Sequence, residues 1–191
     1  MKENRKGLGG VLSDIGSSQT SGESMFITQA QGLAEGSVIG IAPAIPGAIC
    51  KLEVGTKQYR LNTGAFLASY DSVNYVMKSQ NLGKAFFGGT GGLYVMETEG
   101  HGDILVNAFG ALVELAVTPD TPLTVDNEHV VAWDANLDYN IEIASGTFGF
   151  TTGEGLVNTF HGNGKVLIQT RNLHSLAEAL SPFLPDKSSG N

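Results

Sequence analysis

The stretch TGEGLVNTFHGNGKVLIQT, residues 152–170, decides how this chain is interpreted. Its glycines resemble those of a phosphate-binding loop, but they separate two apolar runs that have the character of strands. A phosphate-binding loop instead joins a strand to the N-terminus of a helix. The turn contains Asn163-Gly164, and Asn-Gly is the strongest short signal for a β-hairpin. The stretch therefore predicts two strands joined by a tight turn.

The same pattern occurs three times, which indicates an internal repeat. The other copies are SGESMFITQAQGLAEGSVIG, residues 21–40, and TGGLYVMETEGHGDILVN, residues 90–107. Each copy starts with Ser or Thr before a glycine, and each has apolar runs on both sides of a glycine-rich turn. The predicted structural turn glycines are Gly22, Gly91, Gly153, Gly100 and Gly162.

A second pattern occurs twice between these copies. It reads GAICKLEVGTKQYRLNTGAFLASYDSVNY over residues 47–75 and GALVELAVTPDTPLTVDNEHVVAWDANLDY over residues 110–139. The alignment matches Leu52 with Leu115 and Tyr75 with Tyr139. The chain thus alternates two kinds of unit, as expected for a fold built by stacking similar modules.

Individual elements can be placed within this scheme. LDYNIEI, residues 137–143, alternates apolar and polar residues and predicts a half-buried strand. ALVELAV, residues 111–117, is almost continuously apolar, which predicts a strand buried on both faces. NLHSLAEALSPFL, residues 172–184, predicts one helix with Asn172 as its N-cap and Pro182 near its end. We expect this helix to form a lid over a sheet edge.

The predicted fold class is all-β, with repeated small β-sandwich or barrel-like modules and one C-terminal α-helix. We expect a flexible N-terminal segment, 1–20, a single repeat-built domain, 21–185, and a disordered tail, 186–191. The units of the domain are 21–46, 47–89, 90–109, 110–151 and 152–171, and the helix 172–184 follows them.

Composition limits the function classes. The net charge of −8, with only 11 Lys and Arg, disfavours nucleic acid as a partner. No apolar run reaches the roughly 20 residues of a membrane-spanning helix, and the N-terminus lacks the apolar stretch of a secretory signal. The single cysteine, Cys50, excludes an internal disulfide and is expected to be a small buried side chain. We expect a bacterial cytoplasmic location, with the mitochondrion as the alternative.

The candidates for chemistry are few, and we regard them as weak. No two of the four histidines have the spacing of metal ligands, although His101 and His161 flank turn glycines. Glu97 and Glu99 share one face of a predicted strand and could do acid–base work or bind a cation. Solvated positions on a turn and on an edge hairpin explain these four residues better. We therefore predict no catalytic residue, no metal and no cofactor, and we expect Trp133 to lie in the core.

Six motifs, in this order along the chain, resemble the altered inheritance of mitochondria protein 24 family over residues 7–185. They are SGESMFIT, PGAICKLEV, TGAFLAS, GTGGLYVME, VDNEHVVAWD and residues 152–170. The resemblance implies a fold like that of the tryptophan RNA-binding attenuation protein and assembly into trimer-like rings. A mitochondrial branch of the family is implicated in organisation of the inner membrane. The family brings no known catalytic residue to this sequence.

Family members usually carry a further strand-rich unit before the segment that starts here at Met1. We therefore expect an incomplete first module whose open sheet edge invites another chain. The function predicted is that of a non-enzymatic, self-associating β scaffold and homo-oligomer. The alternative is a module that binds a small molecule or lipid headgroup between repeats or subunits, and peripheral membrane contact stays open.

Overall fold

Strands follow one another through most of the chain. The computed structural model describes residues 28–80, 94–143 and 156–184. Within them it contains twelve strands and one α-helix: β1 (Gly47–Val54), β2 (Tyr59–Asn62), β3 (Phe66–Ser69), β4 (Val73–Ser79), β5 (Tyr94–Gly100), β6 (Gly102–Phe109), β7 (Leu112–Val117), β8 (Leu123–Asp126), β9 (Val130–Asp134), β10 (Asp138–Ile143), β11 (Leu156–His161), β12 (Gly164–Gln169) and α1 (Leu173–Leu180). The all-β prediction with one C-terminal helix is confirmed. No helix in the described ranges has both the length and the apolar character that a membrane crossing requires.

The strands form three antiparallel sheets. One sheet has six strands in the order β4-β5-β2-β9-β12-β7. The two others have three strands each, in the orders β1-β6-β3 and β10-β11-β8. All named pairings are antiparallel. The six-stranded sheet therefore combines strands from both halves of the chain.

Strands β1–β6 and β7–β12 pair in the same way. β6 lies between β1 and β3, as β12 lies between β7 and β9; β5 lies between β4 and β2, as β11 lies between β10 and β8. The irregular positions correspond as well. In the β3–β6 ladder the register shifts between Phe66 and Ala68 of β3. In the β9–β12 ladder it shifts between Val130 and Ala132 of β9, opposite Ile168 and Leu167. We call the two groups of strands the first and second halves. The β2–β9 ladder connects them.

Aromatic side chains hold the core of the second half together. Trp133 and Phe160 are almost completely buried, as expected for Trp133. The Trp133 ring lies edge-on to Tyr139 and Phe160, with centroids 5.1 and 5.5 Å away. Burying such a side chain removes about 150–250 Å² from water, worth about 4–6 kcal/mol before conformational entropy is subtracted. The alternation predicted for residues 137–143 places Leu137 in this core, and Asp138, Asn140 and Glu142 are exposed.

Two of the predicted turn glycines have backbone angles that other residues rarely adopt. Gly100 joins β5 to β6 with φ of 88°, and Gly162 joins β11 to β12 with φ of 117°. A Cβ on Gly100 would lie 2.4 Å from the carbonyl oxygen of Ser72. The tight turn therefore requires glycine at this position. Gly22, Gly91 and Gly153 lie outside the described residues.

Two expectations about packing are wrong. β7, which contains most of ALVELAV, is the edge of the six-stranded sheet, and only Val117 within it is buried. The continuous apolar pattern does not reveal that, among the described strands, β7 pairs with β12 alone. The helix α1 starts after Asn172, whose side chain accepts a hydrogen bond from the Ser175 N–H, but it buries none of its residues. With its apolar positions still partly exposed, α1 does not form the expected lid.

The segment before β1 contains no strand in its described part, residues 28–46. Leu33 and Val38 there are 97% and 93% exposed. This region therefore differs from the hairpins β5–β6 and β11–β12, with which the sequence repeat aligns it. Cys50 is half-buried and free, rather than buried as expected. The predicted flexible segment 1–20 and tail 186–191 lie outside the described residues.

Candidate functional site

A cleft of about 340 Å³ lies where the first and second halves meet. Two short 3₁₀ turns, Thr63–Ala65 and Asn127–His129, contribute to its wall. These turns occupy equivalent places, after β2 and after β8. Phe109, Val130 and Val131 supply apolar surface, and Asn62 and Asn107 supply amides. The cleft is therefore a site between repeats, built from both halves.

Carboxamide side chains hold both turns in place. Asn107 Nδ2 donates to the carbonyl oxygens of Gly64 and Ala65, at 3.3 and 3.1 Å. Gln169 Nε2 donates to the carbonyl of Glu128 at 2.8 Å. Asn107 on β6 and Gln169 on β12 are equivalent in the strand register. The contact to Ala65 is buried, where an unpaired carbonyl would cost about 1–3 kcal/mol. Together these bonds hold the two turns against β6 and β12.

His129 takes part in a hydrogen-bond chain at the edge of the cleft. Its Nδ1 lies 2.6 Å from the carbonyl oxygen of Gln169. A carbonyl only accepts, so Nδ1 carries the proton and Nε2 accepts from Asn172 Nδ2 at 3.0 Å. Both ring nitrogens are thus occupied. The ring links β12 to the N-cap of α1.

Two further amide contacts cross between the halves. Asn62 Nδ2 in the first half donates to the carbonyl of Val130 in the second, at 2.6 Å. The Gln169 side chain accepts a hydrogen bond from the N–H of Phe109 at 2.9 Å. The cleft thus presents amide dipoles beside apolar side chains. This lining suits a small ligand that has both an apolar part and hydrogen-bonding groups.

Glu97, one of the predicted candidates, belongs to an ion-pair network beside the β2–β9 ladder. Its carboxylate lies 2.7 Å from Arg60 Nε and 3.6 Å from Lys78 Nζ. Arg60 also donates to the carbonyl of Leu137 at 3.1 Å and lies over the Tyr139 ring. Burial raises the pKa of Tyr139, the Arg60 charge opposes this, and Glu97 adds to it. Glu97 therefore makes structural contacts within the first half, and its partner Arg60 makes the contacts that cross to the second half.

The other candidates do not come together. Glu99 is exposed on β5, His101 is exposed in the turn after it, and His161 is exposed at the end of β11. None of them is among the residues that line the cleft. Within the ranges that the structure describes, no group of three or more His, Cys, Asp or Glu could hold a metal ion.

A smaller cleft of about 100 Å³ lies beside Trp133 and contains charged groups. Asp134 is buried, accepts from the N–H of Lys165 at 3.1 Å and lies 3.7 Å from Lys57 Nζ. Burial raises the pKa of Tyr59, and the negative charge of Asp134 raises it further. Hydrogen bonding to Glu114 raises the pKa of the exposed Lys165, which lies 2.6 Å from that carboxylate. These charges are already paired, which marks the small cleft as structural.

The family model described as mitochondrial biogenesis AIM24 matches residues 1–171. The chain belongs to the AIM24 family. It is 50% identical over 183 residues to uncharacterized protein M6_Spy0233 of Streptococcus pyogenes serotype M6. This alignment covers 95% of the chain and 73% of that relative. The resemblance inferred from the sequence motifs is therefore confirmed.

A solved bacterial structure has the same fold. The crystal structure of protein SPYM3_0169 from Streptococcus pyogenes is 46% identical and matches with a TM-score of 0.65. The match covers 75% of the present chain. It spans 63% of the length of the streptococcal protein, less than two thirds.

Sequence reasoning missed the amides of the cleft. Asn107 and Gln169 each follow a run of three apolar residues, ILV and VLI, and this shared placement was the available signal. Nothing in the sequence places Asn62 opposite Val130, because their contact depends on the β2–β9 ladder between distant segments.

Proposed function

We propose that this AIM24-family protein is a non-enzymatic β scaffold that self-associates. The observation that carries the proposal is a pair of strand edges. Within the described residues, β3 and β8 each pair with a neighbour on one side only. Their counterparts in the other half, β9 and β2, pair on both sides. An open edge presents unpaired N–H and C=O groups to another strand.

Side-chain exposure at these edges supports the same proposal. Every residue of β9 is buried, whereas Phe66, Leu67 and Ala68 of β3 are only partly buried. Leu61 of β2 is completely buried, whereas its counterpart Val125 of β8 is half-buried. Apolar surface that the chain covers at one junction is thus left accessible at the two open edges. Covering it with another chain gains hydrophobic free energy.

The other parts of the proposal are the non-enzymatic role, the absence of a nucleic-acid partner, the location and the form of the assembly. Glu97 and His129, which could serve acid–base chemistry, have structural partners. The acidic charge disfavours a nucleic-acid partner. The streptococcal source of both relatives supports a bacterial cytoplasmic location. An attenuation-protein-like module and a trimer-like ring remain parts of the proposal.

Light scattering coupled to size-exclusion chromatography tests the scaffold. We expect a mass above that of one 20.0 kDa chain, rising as the concentration increases through the micromolar range. A constant mass of one chain over that range would overturn self-association. Circular dichroism on the same samples checks that the chain is folded.

The inter-repeat cleft favours a second function, the binding of a small molecule. Its volume of about 340 Å³ lies at the lower end of the range of ligand sites. Gly64 at its wall has open space around the position of a Cβ. Gly64→Phe should therefore fill the cleft without a clash. Gly55→Phe is the matched control, because Gly55 also has open space but lies outside the cleft.

Thermal-shift measurements against a panel of metabolites and soluble lipid headgroups test the cleft. We expect at least one compound to raise the melting temperature of the original chain and of the Gly55→Phe chain. The same compound should leave the Gly64→Phe chain unchanged. A compound that stabilises all three chains equally binds elsewhere, and a panel without any stabilising compound would count against this function.

A further inference from the structure

We infer that self-association joins β8 of one copy to β3 of the next, antiparallel and in the register of the β2–β9 ladder. The inference rests on the proposed scaffold function and adds the partner and the register. Its starting point is that β2–β9 is one complete junction between equivalent halves. β8 is the counterpart of β2, and β3 is the counterpart of β9. The chain therefore carries the two separated sides of a second junction.

The pattern of edges singles out these two strands. Among the strands that the structure describes, the equivalent strands β1 and β7 are edges in both halves, and so are the equivalent strands β4 and β10. Because these edges recur at equivalent positions in both halves, we attribute them to the structure of each repeat and not to a missing partner. β3 and β8 differ, because each is an edge in one half while its counterpart is interior in the other. A second copy of this chain supplies the missing neighbour to each.

The register follows from the existing ladder. In it Tyr59 lies opposite Asp134, Arg60 opposite Trp133, and Leu61 opposite Ala132. The equivalent pairs between two copies are Leu123 with Tyr70, Thr124 with Ser69, and Val125 with Ala68. Each of these side chains is exposed or only half-buried. The edges thus need no rearrangement before they pair.

The hydrogen-bond directions identify the closest pair. The Tyr59 N–H points toward β5, where it donates to Thr98 Oγ1 at 2.8 Å. Backbone groups two residues apart on a strand point the same way, so those of Leu61 also face away from β9. Leu61 and Ala132 are therefore a non-hydrogen-bonded pair, in which the Cα atoms are about 4.5 Å apart. Val125 and Ala68 of neighbouring copies should have this geometry, which suits a disulfide.

Main-chain contacts can recur at the new junction, but two side-chain contacts cannot. Beside the β2–β9 ladder, the Ala135 N–H donates to the Gln58 carbonyl at 2.8 Å. The counterpart of Ala135 is Asp71, which has a backbone N–H, and the counterpart of Gln58 is Pro122, which has a carbonyl. Arg60 and Asn62 donate across the β2–β9 junction. Their counterparts are Thr124, whose side chain is much shorter than that of Arg60 and whose hydroxyl already pairs with Thr159, and Asp126, whose carboxylate cannot donate. We therefore expect association weaker than the intrachain junction and dependent on concentration.

The symmetry of the assembly also follows. Each copy offers one β8 and one β3, so the contact is head-to-tail and joins two different surfaces. Such contacts generate closed rings or open filaments rather than two-fold dimers. This separates the inference from an assembly in which β8 pairs with β8.

Disulfide trapping tests the register directly. Cys50→Ser first removes the only natural cysteine. In that background, one chain carries Val125→Cys and a second, distinguished by a mass tag, carries Ala68→Cys. On mild oxidation of the mixture we expect disulfide-linked dimers that contain one chain of each kind. Thr124→Cys with Ser69→Cys provides a second pair at exposed positions, in case the first pair disturbs folding.

The matched control uses the neighbouring residue on β3. Ser69→Cys replaces Ala68→Cys opposite Val125→Cys. Ser69 follows Ala68 in regular register, beyond the shift at Leu67. Because successive side chains of a regular strand point to opposite faces, Ser69→Cys should cross-link to Val125→Cys at least tenfold less. Three outcomes would overturn the register: equal cross-linking by the test pair and the control pair, dominant linkage of Val125→Cys to itself, or no cross-linking of either test pair in a self-associating chain. Each of them would leave the scaffold proposal standing. A chain that light scattering shows to be monomeric would overturn both.

Discussion

At the scale of single residues, the turn glycines give a graded test of backbone strain. Gly100 and Gly162 both have positive φ, but a Cβ meets the backbone oxygen of Ser72 only at Gly100. At Gly162 it would meet the side-chain Cδ2 of Leu137 at 3.3 Å, which can move aside. We expect Gly162→Ala to lower the free energy of unfolding by about 1–2 kcal/mol, the cost of a left-handed residue. Gly100→Ala should cost more.

Chemical denaturation measures this series, with Gly55→Ala as the control. Gly55 has open space around it and no positive φ, so its alanine variant should unfold within about 1 kcal/mol of the original chain. Equal destabilisation at all three positions would contradict the assignment of strain to the turns. A larger loss at Gly162 than at Gly100 would contradict the steric argument.

Other single positions could not be predicted from pattern. Asn158 lies on the buried face of β11 with Phe160 and is completely buried. Its counterpart on β5 is Met96, also completely buried. Alternation identifies the inward face, but an amide there reads as a break in the apolar pattern. Within the part of the chain that the structure describes, neither polar atom of the Asn158 side chain has a hydrogen-bond partner, so nothing in the local sequence pattern or in polar pairing explains an amide at this position.

At the scale of elements, the sequence identifies strands better than their places in a sheet. β7 and β9 are both strongly apolar, in LVELAV and VVAWD, yet β7 is an edge and β9 is central. The difference arises because β2, from a distant part of the chain, covers β9. The residues within β7 and β9 alone do not show which of the two strands has such a partner. For the same reason, the position of α1 was not predictable, although its N-cap and apolar spacing were.

The candidate site illustrates the same limit between elements. Its walls come from both 3₁₀ turns and from β6, β9 and β12. The repeat predicts that equivalent turns exist, and the alternative function anticipates a site between repeats. The identity of the lining amides requires the register of β6 and β12, which fixes Asn107 and Gln169 as equivalent.

At the scale of the whole molecule, charge and edge pairing act in opposite directions. The net charge of −8 makes copies repel one another at neutral pH. On its β8 side the proposed β8–β3 junction has the uncharged Thr124 where β2 has Arg60. Added salt therefore screens repulsion without weakening an attraction between the two edges.

We accordingly expect self-association to strengthen as the ionic strength rises from about 0.01 M to about 0.15 M, where the screening length falls from about 30 Å to about 8 Å. Light scattering at one fixed protein concentration should give a higher average mass in the more saline buffer. The Thr124→Lys chain is a useful comparison, because a lysine on β8 introduces a charge that can attract acidic groups of the next copy. Its association should respond less to salt. If salt instead dissociates the original chain, ion pairs hold the copies together, and a junction built on main-chain pairing of β8 with β3 is the wrong description.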